Sequence, residues 1–295
     1  MMPLLFALPG NERLASILAP AISAETGKAT IRRFPDGETY WRYDTPVVGR
    51  SVALLCTLDR PDDKALPLLF AAAAARDLKA KRVGLIAPYL AYMRQDHRFQ
   101  PGEAVTSGYF AKIVSAEFDW LVTVDPHLHR HASLDEIYRV PARALHAAPL
   151  IAQWIRDNVE SPLLIGPDRE SEQWVAAVAR AADAPHLVLR KLRRGDRDVE
   201  VAVPELAQWR GRTPVLVDDI ISTAQTMIET VKQLKRAGLA PPVCIAVHGV
   251  FAGTAFDELM RAGAARVVTT NTISHSTNGI DISGLLAETV RALIA

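Results

Sequence analysis

An apolar run, Val215-Leu216-Val217, ends in Asp218 and Asp219. Two isoleucines later come Ser222, Thr223, Ala224, Gln225 and Thr226. A hydroxyl-bearing loop that opens a helix presents backbone N–H groups at the positive end of the helix dipole, which suits a phosphate dianion. Asp218 and Asp219 are then free to bind sugar hydroxyls, directly or through a cation. An isolated Asp-Asp pair reads as helix capping; with Ser-Thr-x-x-Thr behind it, ligand binding is the better reading. A second run, Leu121 to Val124, delivers Asp125 in the same way, with His127, His129 and His131 just beyond. Such histidines suit a solvent-exposed or capping role, or zinc. A third stretch, Arg190 to Asp198, is dense in charge and contains Lys191 and Arg193. Its composition is that of a solvated loop. A mobile loop carrying Lys and Arg is also what should close over a transition state rich in phosphate charge.

The elements that must position these residues show as short Val/Ile/Leu-rich runs alternating with Ala-rich amphipathic segments. That is the βαβ pattern of a mostly parallel sheet covered on both faces. Candidate strands are 51–58, 82–87, 120–124, 163–165, 186–189, 214–217, 243–249 and 266–269, with 1–8 as a first strand and turn. Helices are expected over 66–79, 106–116, 149–158, 172–182, 226–237 and 255–261. In open α/β sheets ligands sit outside the carboxyl ends of strands, where both acid-tipped runs lead. The pattern restarts near 147–149, giving an N-terminal domain over 1–147 and a C-terminal domain over 148–295. The 295 residues suit two domains of roughly 150 each.

The 34 Lys plus Arg against 33 Asp plus Glu leave a formal charge of +1, which supplies no broad field for nucleic acid or an anionic membrane. No apolar run approaches a membrane span. Cys56 and Cys244 are the only cysteines, and both lie in apolar runs. They read as reduced thiols of a cytoplasmic protein. There is no GxxxxGK[ST], GxGxxG, HExxH or GxSxG motif.

Around Asp218 to Thr226 the chain resembles 5-phosphoribosyl 1-diphosphate (PRPP) binding proteins, and more closely the ribose-phosphate pyrophosphokinases, or PRPP synthetases. The resemblance extends over nearly the whole chain. Phe34-Pro35-Asp36-Gly37-Glu38 is similar to the family's Phe-Ser-Asp-Gly-Glu loop, and residues 88–96 to its Pro-Tyr-x-x-Tyr-x-Arg-Gln-Asp segment. Thr123-Val124-Asp125-Pro126-His127 resembles Thr-Val-Asp-Leu-His, and Pro167-Asp168 resembles Ser-Pro-Asp. Arg98 to Glu103 and the Ile-Ile-Ser-Thr of the phosphate loop resemble the archaeal branch.

The resemblance implies two similar phosphoribosyltransferase-like α/β domains, each a mostly parallel sheet flanked by helices, the first serving ATP and the second ribose 5-phosphate. It implies a diphosphokinase: a cytoplasmic transferase of nucleotide biosynthesis that moves the diphosphoryl group of ATP to the 1-hydroxyl of ribose 5-phosphate, giving PRPP and AMP. Asp218 and Asp219 would hold the ribose hydroxyls, and Ser222, Thr223, Ala224, Gln225 and Thr226 the 5-phosphate. His127 and Asp168 would hold Mg2+, and Lys191 and Arg193 would be catalytic. ATP would meet Arg94, Gln95 and Asp96, together with Phe34, Asp36 and Glu38 of a neighbouring subunit, so a homo-oligomer is implied. Ala224 and Gln225 stand where most relatives have Gly-Gly, which allows close backbone approach and positive φ. A PRPP-consuming phosphoribosyltransferase would share the phosphate loop but has no reason to keep Phe34, Asp36, Glu38, Arg94 or Gln95. A non-catalytic regulatory homologue would be expected to lose Lys191, Arg193, His127 or Asp168, and all four are present. His129, His131 and the polar stretch 270–279 have no assignment.

Overall fold

The computed structural model describes residues 1–128, 130–167, 171–189, 192–194, 198–200 and 206–295. These fall into two compact units, one of Met1–Leu145, Thr272–Ser274 and Ile282–Ala295, the other of His146–Asn271 and His275–Asp281.

Unit 1 runs β1 (Leu4–Ala7), α1 (Glu12–Ala21), β2 (Glu25–Thr26), β3 (Ala29–Arg33), β4 (Thr39–Tyr43), β5 (Ser51–Leu55), α2 (Pro61–Asp77), β6 (Arg82–Ala87), α3 (Thr106–Glu117), β7 (Trp120–Val124) and β8 (Ala142–Leu145). Six of these strands form a parallel sheet in the order β2-β1-β5-β6-β7-β8, while β3 and β4 make a separate antiparallel hairpin. Every residue of β5 and β7 is buried, as strands covered on both faces must be. The adjacent strands fit through one close approach. Gly84 pairs with Trp120, and a Cβ on Gly84 would sit 1.9 Å from the indole of that fully buried tryptophan.

Unit 2 runs α4 (Ala148–Asn158), β9 (Pro162–Gly166), α5 (Glu172–Ala182), β10 (His186–Val188), β11 (Leu192–Arg194), β12 (Asp198–Glu200), β13 (Thr213–Ile221), α6 (Gln225–Arg236), β14 (Val243–Gly249), α7 (Ala255–Ala262), β15 (Arg266–Thr270) and β16 (Asn278–Ile280). Its parallel sheet, β10-β9-β13-β14-β15-β16, repeats the connectivity of the first. In both sheets the order reverses beside the first strand, at β1/β5 and at β9/β13, which are the topological switch points of doubly wound sheets.

Two features depart from the sequence pattern. The last helix, α8 (Ser283–Ile294), lies in unit 1 rather than with the residues from 148 onward. Its buried stripe of Leu286, Ala287, Val290 and Ile294 gives it an apolar face to cover the first sheet. Arg291 donates to the Ala21 carbonyl at 2.6 Å and Arg82 to that of Leu293 at 2.9 Å. The second departure is β13, expected over 214–217, which continues to Ile221. Asp218, Ile220 and Ile221 register against Ala246, His248 and Gly249 of β14, so pairing with β14 extends the ladder past the acids.

Candidate active site

In unit 2 Asp218 and Asp219 sit half-buried inside the end of β13, and the Asp219 N–H donates to Asp218 Oδ1 at 3.0 Å. The chain then turns through Ser222 and Thr223 to Ala224, which N-caps α6 with φ +59° and ψ 4°. Its carbonyl accepts the Ile228 N–H at 2.8 Å and starts the helix. A left-handed alanine is strained by roughly 1 kcal/mol, because Cβ approaches the carbonyl oxygen. Gln225, by contrast, is the first residue of α6, so only the first position of the Gly-Gly pair carries the conformation that glycine favours. The turn is braced from behind. Val250 and Phe251 N–H groups both donate to the Ile221 carbonyl at 3.0 Å, and Ala252 N–H to that of Ser222 at 3.0 Å. Phe251, itself at φ +43°, stacks at 4.5 Å on His275, whose pKa burial holds below the usual imidazole value. A rigid turn with amides and hydroxyls at a helix start, next to two acids, can take a phosphate and a vicinal diol.

Unit 1 differs at the equivalent place. Asn11 Nδ2 donates to the Leu8 carbonyl at 3.1 Å while its Oδ1 accepts the Thr57 N–H at 3.0 Å. Thr57 Oγ1 donates to the Thr272 carbonyl, so the end of β1/β5 is filled by the chain itself. The expected nucleotide residues lie farther along the same edge, after β6 and β7. Arg94 is exposed and Gln95 half-buried. Asp96 is different: its side chain is 1% exposed and is engaged by Arg130 and His97. Burial acts to raise its pKa, but the hydrogen bonds from His97 and Arg130 and the guanidinium charge outweigh it and hold the carboxyl below its usual value. Across from it, after β7, Asp125 is buried at φ +34° and His127 is half-buried. His131 has a structural partner, Glu136, at 3.0 Å.

Phe34, Asp36 and Glu38 form the tip of the β3–β4 hairpin. The Phe34 N–H donates to the Glu38 carbonyl at 2.8 Å, Gly37 takes φ +95°, and Asp36 Oδ1 accepts the Glu38 N–H at 3.2 Å. The Arg32 guanidinium lies 4.5 Å from the Phe34 ring centroid and 4.2 Å from that of Tyr40. All five tip residues are exposed, so this is a presented loop, and Phe34 is not a core residue.

Asp168, Lys191 and His129 lie outside the described residues, as does the side chain of Arg193. The backbone of Arg193 belongs to β11, which pairs antiparallel with β12, so a two-stranded ribbon stands where the composition predicts a loop. The stretch 270–279 is no plain surface loop. Thr272 and Ile273 are buried, and Asn278 Nδ2 donates to the Thr270 carbonyl at 2.7 Å. Among the described residues no group of three or more His, Cys, Asp or Glu is gathered to hold a metal. Sequence reasoning passed over Arg130. Its signal was its place three residues after His127, one turn-length away in a loop already singled out for its histidines.

Comparison with known proteins gives this geometry a family. Residues 3–117 match the N-terminal domain of ribose phosphate pyrophosphokinase, and residues 133–282 a phosphoribosyl transferase domain. The chain is 31% identical to a ribose-phosphate pyrophosphokinase of Sulfurisphaera tokodaii, with 92% of this chain and 95% of that protein covered. It is 32% identical to one of Methanopyrus kandleri, covering 95% and 96%. The crystal structure of phosphoribosylpyrophosphate synthetase from Mycobacterium smegmatis superposes with a TM-score of 0.88 over 99% of both chains, at 25% identity.

Proposed function

The chain belongs to the ribose-phosphate pyrophosphokinase family, and we propose that it carries out the whole of that family's reaction, making PRPP and AMP from ribose 5-phosphate and ATP. The observation that carries the reading is the acid-tipped strand β13 running into a turn whose left-handed residue caps α6. It provides a diol site and a phosphate site in the order a ribose 5-phosphate needs.

In this reading the 1-hydroxyl oxygen attacks the β-phosphorus of ATP, a bond forms between them, and the oxygen bridging the α- and β-phosphorus leaves on AMP. Such a transfer asks for alignment and charge neutralisation more than covalent help. Asp218 and Asp219 hold the ribose hydroxyls. Ser222 to Thr226 hold the 5-phosphate, fixing the sugar at its far end. Arg94 offers an exposed guanidinium for the triphosphate, and Gln95 a neighbouring amide. Lys191 and Arg193 neutralise charge that develops during transfer, with water excluded. Phe34 supplies a stacking face for adenine, and Asp36 and Glu38 accept from its amino group.

Mg2+ fits the donor chemistry. Magnesium keeps most of its waters and binds through one or two carboxylates plus substrate phosphates, so a preformed cage is not required. Asp168 and His127 would hold it, and it would draw charge from the transferring phosphates. In this reading Phe34, Asp36 and Glu38 serve the site of a second copy, so the active form is a homo-oligomer; the exposure of the hairpin tip supports this. Two buried free thiols suit the cytoplasm.

The test is incubation with ribose 5-phosphate, ATP and Mg2+ and quantification of AMP. AMP formed in step with PRPP supports the reading; bound ligand without AMP supports a regulatory homologue instead.

A further inference from the structure

Asp96 directly follows Arg94 and Gln95 in the segment after β6, whereas Arg130 lies in the turn after β7, three residues beyond His127. Arg130 Nη1 donates to both carboxylate oxygens of Asp96, at 3.0 and 3.2 Å. His97 Nδ1 lies 2.9 Å from Oδ1, and a carboxylate can only accept, so the imidazole donates. With the Asp96 side chain 1% exposed, this is an almost fully desolvated carboxylate, and such a charge persists only where its partners are well placed.

The surrounding residues lock the pair further. The Arg130 guanidinium stands 5.5 Å from the Phe99 ring centroid, and the His97 ring is 3.8 Å from that of Phe99. Glu103 Oε2 accepts the N–H groups of Phe99 and Gln100 at 2.7 and 3.0 Å, and Arg98 Nε donates to the Glu103 carbonyl at 3.0 Å. The loop 97–103 is therefore folded on itself and anchored through Asp96. A buried anion in this arrangement is poorly suited to touch a triphosphate directly. It is well suited to tie two loops together.

We propose that Asp96 is a positioning residue for diphosphoryl transfer, acting through Arg130 to fix the turn that carries His127 relative to Arg94 and Gln95. The proposal rests on the reading of the chain as a PRPP-forming enzyme. Outer partners that orient ligating groups commonly contribute about 10-fold or more to affinity or activity.

The experiment compares the wild type with Asp96→Asn, Asp96→Glu, Arg130→Ala and the Asp96→Asn/Arg130→Ala double variant. It reads kcat, both KM values, the melting midpoint and, by calorimetry, ATP affinity in EDTA. Expected are losses of about 10-fold in kcat/KM for ATP in Asp96→Asn and in Arg130→Ala. The double variant should be no worse than the poorer single, with partial recovery in Asp96→Glu and a ribose 5-phosphate KM within about twofold of wild type. Losses that multiply in the double variant would overturn the proposal, as would an effect of Asp96→Asn on ATP with none from Arg130→Ala. So would both KM values rising together in step with a lower melting midpoint. If the wild type forms no AMP, the functional reading fails. ATP affinity in EDTA still decides the clamp, since coupled losses support it and independent losses contradict it.

Discussion

Ala224 shows how one backbone angle constrains a site. At φ +59° an alanine is strained by roughly 1 kcal/mol, but glycine would gain entropy in the unfolded chain worth about as much. Ala224→Gly should therefore change stability by less than about 1 kcal/mol. By letting the turn approach phosphate more closely it should lower the ribose 5-phosphate KM, measured in steady-state assays. Gln225→Gly should not share this benefit, because position 225 is already helical and glycine there costs about 1 kcal/mol of helix propensity. The thiols are a second case. Burial pushes both Cys56 and Cys244 up to about 12, so at pH 8 they stay protonated as well as inaccessible. A disulfide exchange reagent should label neither in the native protein and both after unfolding.

Strands with buried faces were the most legible elements. The 82–87, 120–124 and 243–249 runs coincide with β6, β7 and β14, because a strand buried on both faces must be apolar throughout. The β3–β4 hairpin, β2, β16, α1 and α8 left no comparable trace. The short strands hold too few residues for a period, and α1 contains Pro20. In the candidate site the strand–turn–helix arrangement at 213–236 was legible because an apolar run, acids and hydroxyl residues follow one another in a fixed order. The Asp96–Arg130 pair was not, since it links residues 34 positions apart and depends on the sheet to bring them together. Packing at this scale makes a prediction of its own. Gly84→Ala would drive a methyl into Trp120, with nowhere for the indole to go between two covered faces. It should destabilise by about 3 kcal/mol, seen as a lower urea midpoint at unchanged m-value.

At the scale of the whole molecule, the charge of +1 means that phosphate binding is a local affair. In the proposed reading, anion affinity is concentrated in a helix start and a few cations, while Asp218 and Asp219 are assigned a sugar to hold. Exposed apolar side chains on unit 1 bear on the proposed homo-oligomer. Leu66 and Phe70 lie one turn apart on α2, as do Tyr109 and Ile113 on α3, each 45% exposed or more. If the two pairs form one surface, apolar exposure of this kind is what an interface would cover. If the proposed homo-oligomer uses this face, the Phe70→Glu/Ile113→Glu variant should elute as a monomer in light scattering and lose turnover; an unchanged mass would remove these residues from the proposed assembly. The central claim, that a diphosphoryl group rather than a single phosphoryl group is moved, is tested most directly by following wild-type protein, ribose 5-phosphate, ATP and Mg2+ by phosphorus NMR. The account predicts AMP and a new coupled diphosphate pair on the ribose 5-phosphate product, appearing together at a one-to-one ratio; ADP with a single new phosphomonoester, or no change at all, would contradict it.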